Sequence, residues 1–214
     1  MLTSPVIPGV LRARPSLLKL AGCRLATDSV LPPIEGVYEY VIGSQGLFVR
    51  AEDARIAACI PVASAPCHGP AEVATYARLK LPRIPTSYLA SVYQSAVKHL
   101  PNEAAYQFIY DEREAVPWRC AMPFQRACPT HVDYADDANA VVDLHSHGTL
   151  PAFFSNTDDL DEGGLRFYVV IGDIGAEYPG IQCRIGVYGH HWRVPASWIF
   201  DNIGPFVSID QETL

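Results

Sequence analysis

A chain of 214 residues and 23.4 kDa, 49% hydrophobic and 18% charged, has enough apolar mass for one generous domain or two small ones, and too much for a disordered tail. A formal net charge of -7 and a pI near 5.4 lack the basic footprint that direct nucleic-acid binding or an anionic membrane surface requires. No apolar run approaches the roughly 18 to 20 residues that span a bilayer, and the proline-broken N-terminus has no secretory pattern, so a soluble cytoplasmic protein is expected. Six cysteines include no CxxC pair, which disfavours a zinc ribbon or a thioredoxin-like couple.

Pro15 sits at a plausible first helical position for a short helix around residues 16–20. Beyond Pro32-Pro33, residues 37–42, 46–50 and 55–62 are short, β-branched or apolar and separated by turn residues, the punctuation of hairpins. Residues 63–85 read as a proline-rich connector with one helical turn at 71–79. Residues 87–100 carry apolar groups at Leu89, Val92, Tyr93, Ala96, Val97 and Leu100, the stripe of an amphipathic helix, capped by Thr86 or Ser87 and stopped by Pro101. Strands are expected at 105–110 and 118–124, paired across a polar turn, and at 140–147, where Val141, Asp143, His145 and His147 point one way and Val142, Leu144 and Ser146 the other. A short helix at 156–161 ends at Gly163-Gly164, and strands at 165–171, 181–188 and 191–194 complete a meander. The chain thus divides into a β-rich region with its connector at 1–85 and an α+β (α/β layered) domain at 86–214.

The chemistry concentrates in one segment. His145 and His147, two apart on a strand, place their imidazoles on one face about 6 to 7 Å apart along the backbone, close enough to converge on one ion. Asp158 follows at the entry to a helix, where it can fold back as a third ligand. Two histidines and one carboxylate leave a fourth tetrahedral position open, which is what separates a catalytic zinc from a structural one. Ser155 and Asp158 are equally a helix start, with Ser155 as N-cap and Asp158 as the acidic residue of a capping-box-like arrangement, and Ser155 can serve as both cap and catalyst. Asp143 reads either as a carboxylate orienting a ligand imidazole or as a surface residue. His131, His99 and the His190-His191 pair are set aside as isolated or as pointing to opposite faces.

His145-Ser146-His147, seven residues, Ser155, two residues, Asp158 resembles the signature of the JAMM (JAB1/MPN/Mov34) metalloproteases, over roughly residues 86–205. The resemblance implies a central mixed β-sheet flanked by helices and one zinc ion on His145, His147 and Asp158. It also implies an upstream glutamate between the first helix and the first strand; Glu103 matches that slot, ahead of Glu112 and Glu114 in a polar turn. Glu103 would then act as general base on a zinc-activated water, and Ser155 would donate to the oxyanion. The implied substrate is a ubiquitin-like protein or its conjugate, cut after a C-terminal Gly-Gly tail. Gly148, where many members have proline, is expected to loosen the loop after the ligands. The N-terminal extension and Phe153-Phe154-Ser155 further resemble the branch found in the bacterial ParB-related, ThiF-related cassette (PRTRC), which implies an E1-like, ThiF-related partner. Two alternatives stay open: a catalytically silent scaffold of the same fold, and a hydrolase of a small sulfur-carrier adduct.

Overall fold

The computed structural model describes residues 21–209; the helix expected at 16–20 lies outside them. Strands β1 (Ala21–Leu25), β2 (Tyr38–Gly43), β3 (Gly46–Glu52), β4 (Ile56–Ser64) and β5 (Tyr76–Leu79) form a sheet in chain order, β1 parallel to β2 and the rest antiparallel. Gly46 starts β3 at φ +145°, with Ala63 O only 2.1 Å from where a Cβ would stand, so only glycine fits this turn. Across β2 and β3, Glu39 and Arg50 are register partners and both are buried, with Arg50 Nε donating to Glu39 Oε1 at 2.6 Å. The turn expected within 71–79 is instead strand β5 from Tyr76 onward, because pairing with Ile56–Cys59 satisfies its backbone.

Helix α1 (Thr86–His99) buries Leu89, Val92 and Ala96, as its periodicity foretold. Its start differs from expectation: the N-cap position is Pro85, which offers no side-chain acceptor, and neither Thr86 nor Ser87 caps. The exposed N–H of Thr86 is instead taken by Asp201 Oδ1 at 2.7 Å, which also accepts from the Thr86 hydroxyl at 2.6 Å.

The second sheet runs β13 (His190–Arg193), β12 (Gly180–Val187), β11 (Leu165–Gly172), β10 (Ala140–Ser146), β6 (Ala104–Tyr110), β7 (Trp118–Ala121), with β14 (Val207–Ser208) beside β12. β7 stops at Ala121, short of the 124 expected. A separate hairpin of β8 (Gln125–Cys128) and β9 (His131–Tyr134), not foreseen, follows. Helix α2 (Asn156–Asp161) crosses from β10 to the parallel strand β11, and β11 to β13 are the expected meander. The architecture is α+β, mostly sheet, with a β-rich N-terminal region. Among the described residues no helix is long and apolar enough to cross a membrane.

Strand alternation gives this sheet two unlike faces. Val142, Leu144, Phe167, Val169, Ile171, Ile181, Cys183, Ile185 and Phe108 join a core that also contains Val49, Ile56 and Ile60 of the first sheet and the apolar stripe of α1. On the other face, cross-strand register aligns Arg193, Arg184, Tyr168, Asp143 and Gln107 in one row over five strands, and His145 stands two residues beyond Asp143 on the same side. The site is therefore built on the polar face of a sheet whose apolar face is fully committed. Phe108 is fully buried against Tyr88 and Phe200. Phe108→Ala should cost about 3 to 5 kcal/mol of unfolding free energy, read by denaturant titration.

Candidate metal centre

His145 lies near the buried end of β10, and the chain leaves the strand at His147, whose N–H still reaches Ile171 O at 2.8 Å. The loop that follows is tied to the end of β11. Ile174 N donates to Gly148 O at 2.9 Å and Asp173 N to Leu150 O at 2.7 Å. At Gly172 a Cβ would come 2.2 Å from Ala152 N, so only glycine lets this loop lie against β11. Gly148 has φ +56°, a conformation closed to proline, whose ring fixes φ near -65°. The expected loosening is thus a different, hydrogen-bonded turn.

This turn delivers Ser155 to α2, which has no buried residue of its own. Polar bonds hold the helix instead. At its start is a complete capping box: Ser155 Oγ accepts from Asp158 N, while Asp158 Oδ2 accepts from Ser155 N at 2.6 Å and from the Ser155 hydroxyl at 2.8 Å. At its end, Arg184 of β12 donates to Asp159 Oδ1 and Glu162 Oε2, both at 2.6 Å, its guanidinium 4.0 Å from the Phe154 ring centre. Asp158, Asp159 and Glu162 are therefore each engaged by specific donors.

The capping box uses one oxygen of Asp158 and leaves the other for the histidines. Asp158 Oδ1 is 3.4 Å from His145 Nε2, which is 3.1 Å from His147 Nε2, and all three donor atoms lie within 4.8 Å of one another. A tetrahedral ion with ligand bonds near 2.05 Å has donor-donor edges of about 3.3 Å, so the donor types and the two edges at His145 match such an ion, with the third edge within 4.8 Å. Pro151 O accepts from His147 Nδ1 at 3.3 Å, which turns the Nε2 lone pair into the site, and Phe153 packs edge-on at 4.5 Å against the ring. Burial lowers the pKa of both histidines, only partly offset by Asp158, and keeps them neutral. Two lone pairs and a carboxylate oxygen converge where a proton is disfavoured, an arrangement suited to a divalent cation.

Glu103 stands just before β6, 5% exposed, and lines the same cleft as His145 and Asp158. Its N–H donates to Cys128 O at 3.0 Å, fastening it to the β8–β9 hairpin. Burial, then the charge of Asp158, push its carboxyl up to about 7, and His131 acts in the opposite direction. His131 and Tyr134, both on the unforeseen hairpin, form part of this cleft; their strands lack apolar alternation, so nothing in the sequence announced them. Glu112 and Glu114 lie in an exposed turn after β6. Asp143 is buried and pairs with Arg166 at 2.5 Å, a different arrangement from either role expected for it.

Residues 85–185 match the family model for prokaryotic homologs of the JAB domain, a span that includes Glu103, His145, His147, Ser155 and Asp158. No curated protein matches the chain. The match and the site together support a JAB/MPN-type domain with a His-His-Asp group that could hold a metal.

Because α2 lacks an apolar anchor, Arg184→Met should weaken metal affinity by about 10- to 100-fold although Arg184 is no ligand, as read by competition with a chromogenic chelator. The same change leaves Glu162 buried without its partner and should lower unfolding free energy by about 3 to 5 kcal/mol.

Proposed function

We propose that the chain is a zinc-dependent JAMM-type hydrolase that cleaves the amide or isopeptide bond after the C-terminal Gly-Gly tail of a ubiquitin-like protein or its conjugate. The observation that carries this reading is the convergence of His145 Nε2, His147 Nε2 and Asp158 Oδ1 in a cleft that also presents the buried carboxyl of Glu103. A two-nitrogen, one-oxygen donor set suits zinc and leaves room for a further ligand.

A zinc ion bound there supplies Lewis acidity, making a water acidic near neutral pH and polarising the scissile carbonyl. Glu103 takes the proton from the attacking water and returns it to the leaving amine. Its raised pKa matches a group that must both accept and release a proton near neutrality, and a divalent cation nearby would draw that pKa back down. Ser155 donates to the oxyanion by exchanging its 2.8 Å bond to Asp158 Oδ2 for one to the substrate. Its backbone N–H keeps hold of Oδ2 at 2.6 Å, so the ligand stays in place during that exchange. The family resemblance adds the substrate class and, through the ParB-related, ThiF-related cassette, an E1-like partner in the cytoplasm.

Glu103→Gln should retain about one zinc per chain yet lose about 10²- to 10⁴-fold in kcat, measured by elemental analysis and by release of a reporter amine from a Gly-Gly conjugate. Turnover close to wild type would remove Glu103 from its role as base. The wild-type rate should fall as pH drops through the Glu103 pKa, because only the carboxylate accepts a proton; Glu103→Gln should lack that limb. His147→Ala and Asp158→Asn should lose metal and activity together, and a protein that takes up no zinc when supplied with it would sink the reading.

A further inference from the structure

The β8–β9 hairpin walls the metal cleft with a residue outside the reacting set of Glu103 and Ser155. His131 of β9 lines that cleft together with Glu103, His145 and Asp158. The space they enclose is about 40 Å³, little more than the roughly 30 Å³ that one water takes up in the liquid. A substrate group that reaches the metal donors and Glu103 therefore also stands beside His131.

The hairpin is fastened where it meets the cleft. Glu103 N donates to Cys128 O at 3.0 Å, Cys128 is the register partner of His131, and Ala105 N donates to Gln125 Oε1 at 2.7 Å. Val132, next to His131, is buried. Burial raises the Glu103 pKa, and His131 is close enough to work against that rise. The imidazole also has a set polarity. Asp133 stands two residues on, on the same side of the strand, and its Oδ1 accepts from His131 Nε2 at 3.0 Å. A carboxylate is an acceptor only, so Nε2 carries a hydrogen, and in the neutral ring Nδ1 then carries a lone pair. Among the described residues nothing donates to Nδ1. An acceptor in that position suits a substrate N–H, and the amide of a primary amine brings one to the point of cleavage.

We propose that His131, oriented by Asp133, is a further catalytic residue whose Nδ1 accepts the N–H of the scissile amide. The inference rests on the hydrolase reading and deepens it by narrowing the substrate class. The bond cleaved is the amide of a primary amine; an ester, or the amide of a secondary amine such as proline, lacks the hydrogen. Holding the N–H against the hairpin leaves the nitrogen's developing lone pair free for the proton that Glu103 returns, and no proton passes through His131.

The test measures binding apart from turnover. The metal-free full-length chain is titrated calorimetrically at about pH 8, above the usual histidine range. The probes are acetyl-Gly-Gly-Gly-amide and the depsipeptide in which the N–H after the second glycine is replaced by an ester oxygen. The amide should bind about 3- to 10-fold more tightly, because the ester oxygen has no hydrogen to give and sets its lone pairs against Nδ1. That preference should shrink in Asp133→Ala and vanish in His131→Ala, a side chain 41% exposed whose loss should leave the unfolding midpoint unchanged. In the zinc-loaded protein, His131→Ala should lose turnover of the amide and keep that of the ester, a split that a merely structural role would not produce. No amide preference in the wild type, or one that persists in His131→Ala, would overturn the contact. A preference that depends on His131, in a protein whose zinc-loaded form cleaves no Gly-Gly conjugate, would keep the contact and remove the hydrolase reading instead.

Discussion

The carboxylate of Asp158 does two jobs with two oxygens, and the site depends on that division. Oδ2 closes the capping box with Ser155, and Oδ1 faces His145. A helix of six residues is far too short to be stable alone in water, and this one buries no side chain. Its position comes from the cap at one end and from Arg184 at the other. The position of Asp158 is thus fixed by hydrogen bonds and ion pairs, while His145 sits on a strand locked between two others and His147 follows at its end, held by its N–H to Ile171 O.

The sheet beneath explains how so many polar groups can be held still. One face supplies the apolar burial that stabilises the fold, so the other is free to carry charge. Buried polar groups usually cost stability unless each finds a partner. Most of them here do: Arg166 with Asp143, Arg184 with Asp159 and Glu162. By strict geometry five buried polar atoms among the described residues lack a partner, Tyr106 OH, Gln107 Nε2, Asp143 Oδ1, Arg184 Nη2 and His191 Nε2, and of these Gln107 and Asp143 face each other across β6 and β10.

Much of this was legible in the residues. Alternation in β10 put His145 on the face away from Val142 and Leu144, and the three-residue spacing of Ser155 and Asp158 wrote both the cap and the third donor. The two readings of that pair, cap and ligand, proved compatible because a carboxylate has two oxygens. The β8–β9 hairpin was illegible: Gln125–Cys128 is almost wholly exposed and has no apolar period, so its position follows from tertiary contacts such as Glu103 N to Cys128 O. His131 was passed over for the same reason. Asp201 capping α1 from 115 residues away is likewise a contact that no local pattern encodes. Edge strand β5 hid among prolines, where turn chemistry outweighed a four-residue period.

The interior shared by the two sheets has a consequence for how the molecule comes apart. Val49, Ile56 and Ile60 from the first sheet and Leu144, Val169 and Ile185 from the second lie in one continuous cluster, with Ile84 between them in sequence and fully buried. The segment that resembles a JAB domain therefore has part of its lining supplied by the chain that precedes it. Excised by itself, it would present that lining to water, and its heat-induced transition would be lost rather than merely lowered. In the intact chain, the metal ligands and the N-terminal strands should melt as one cooperative unit.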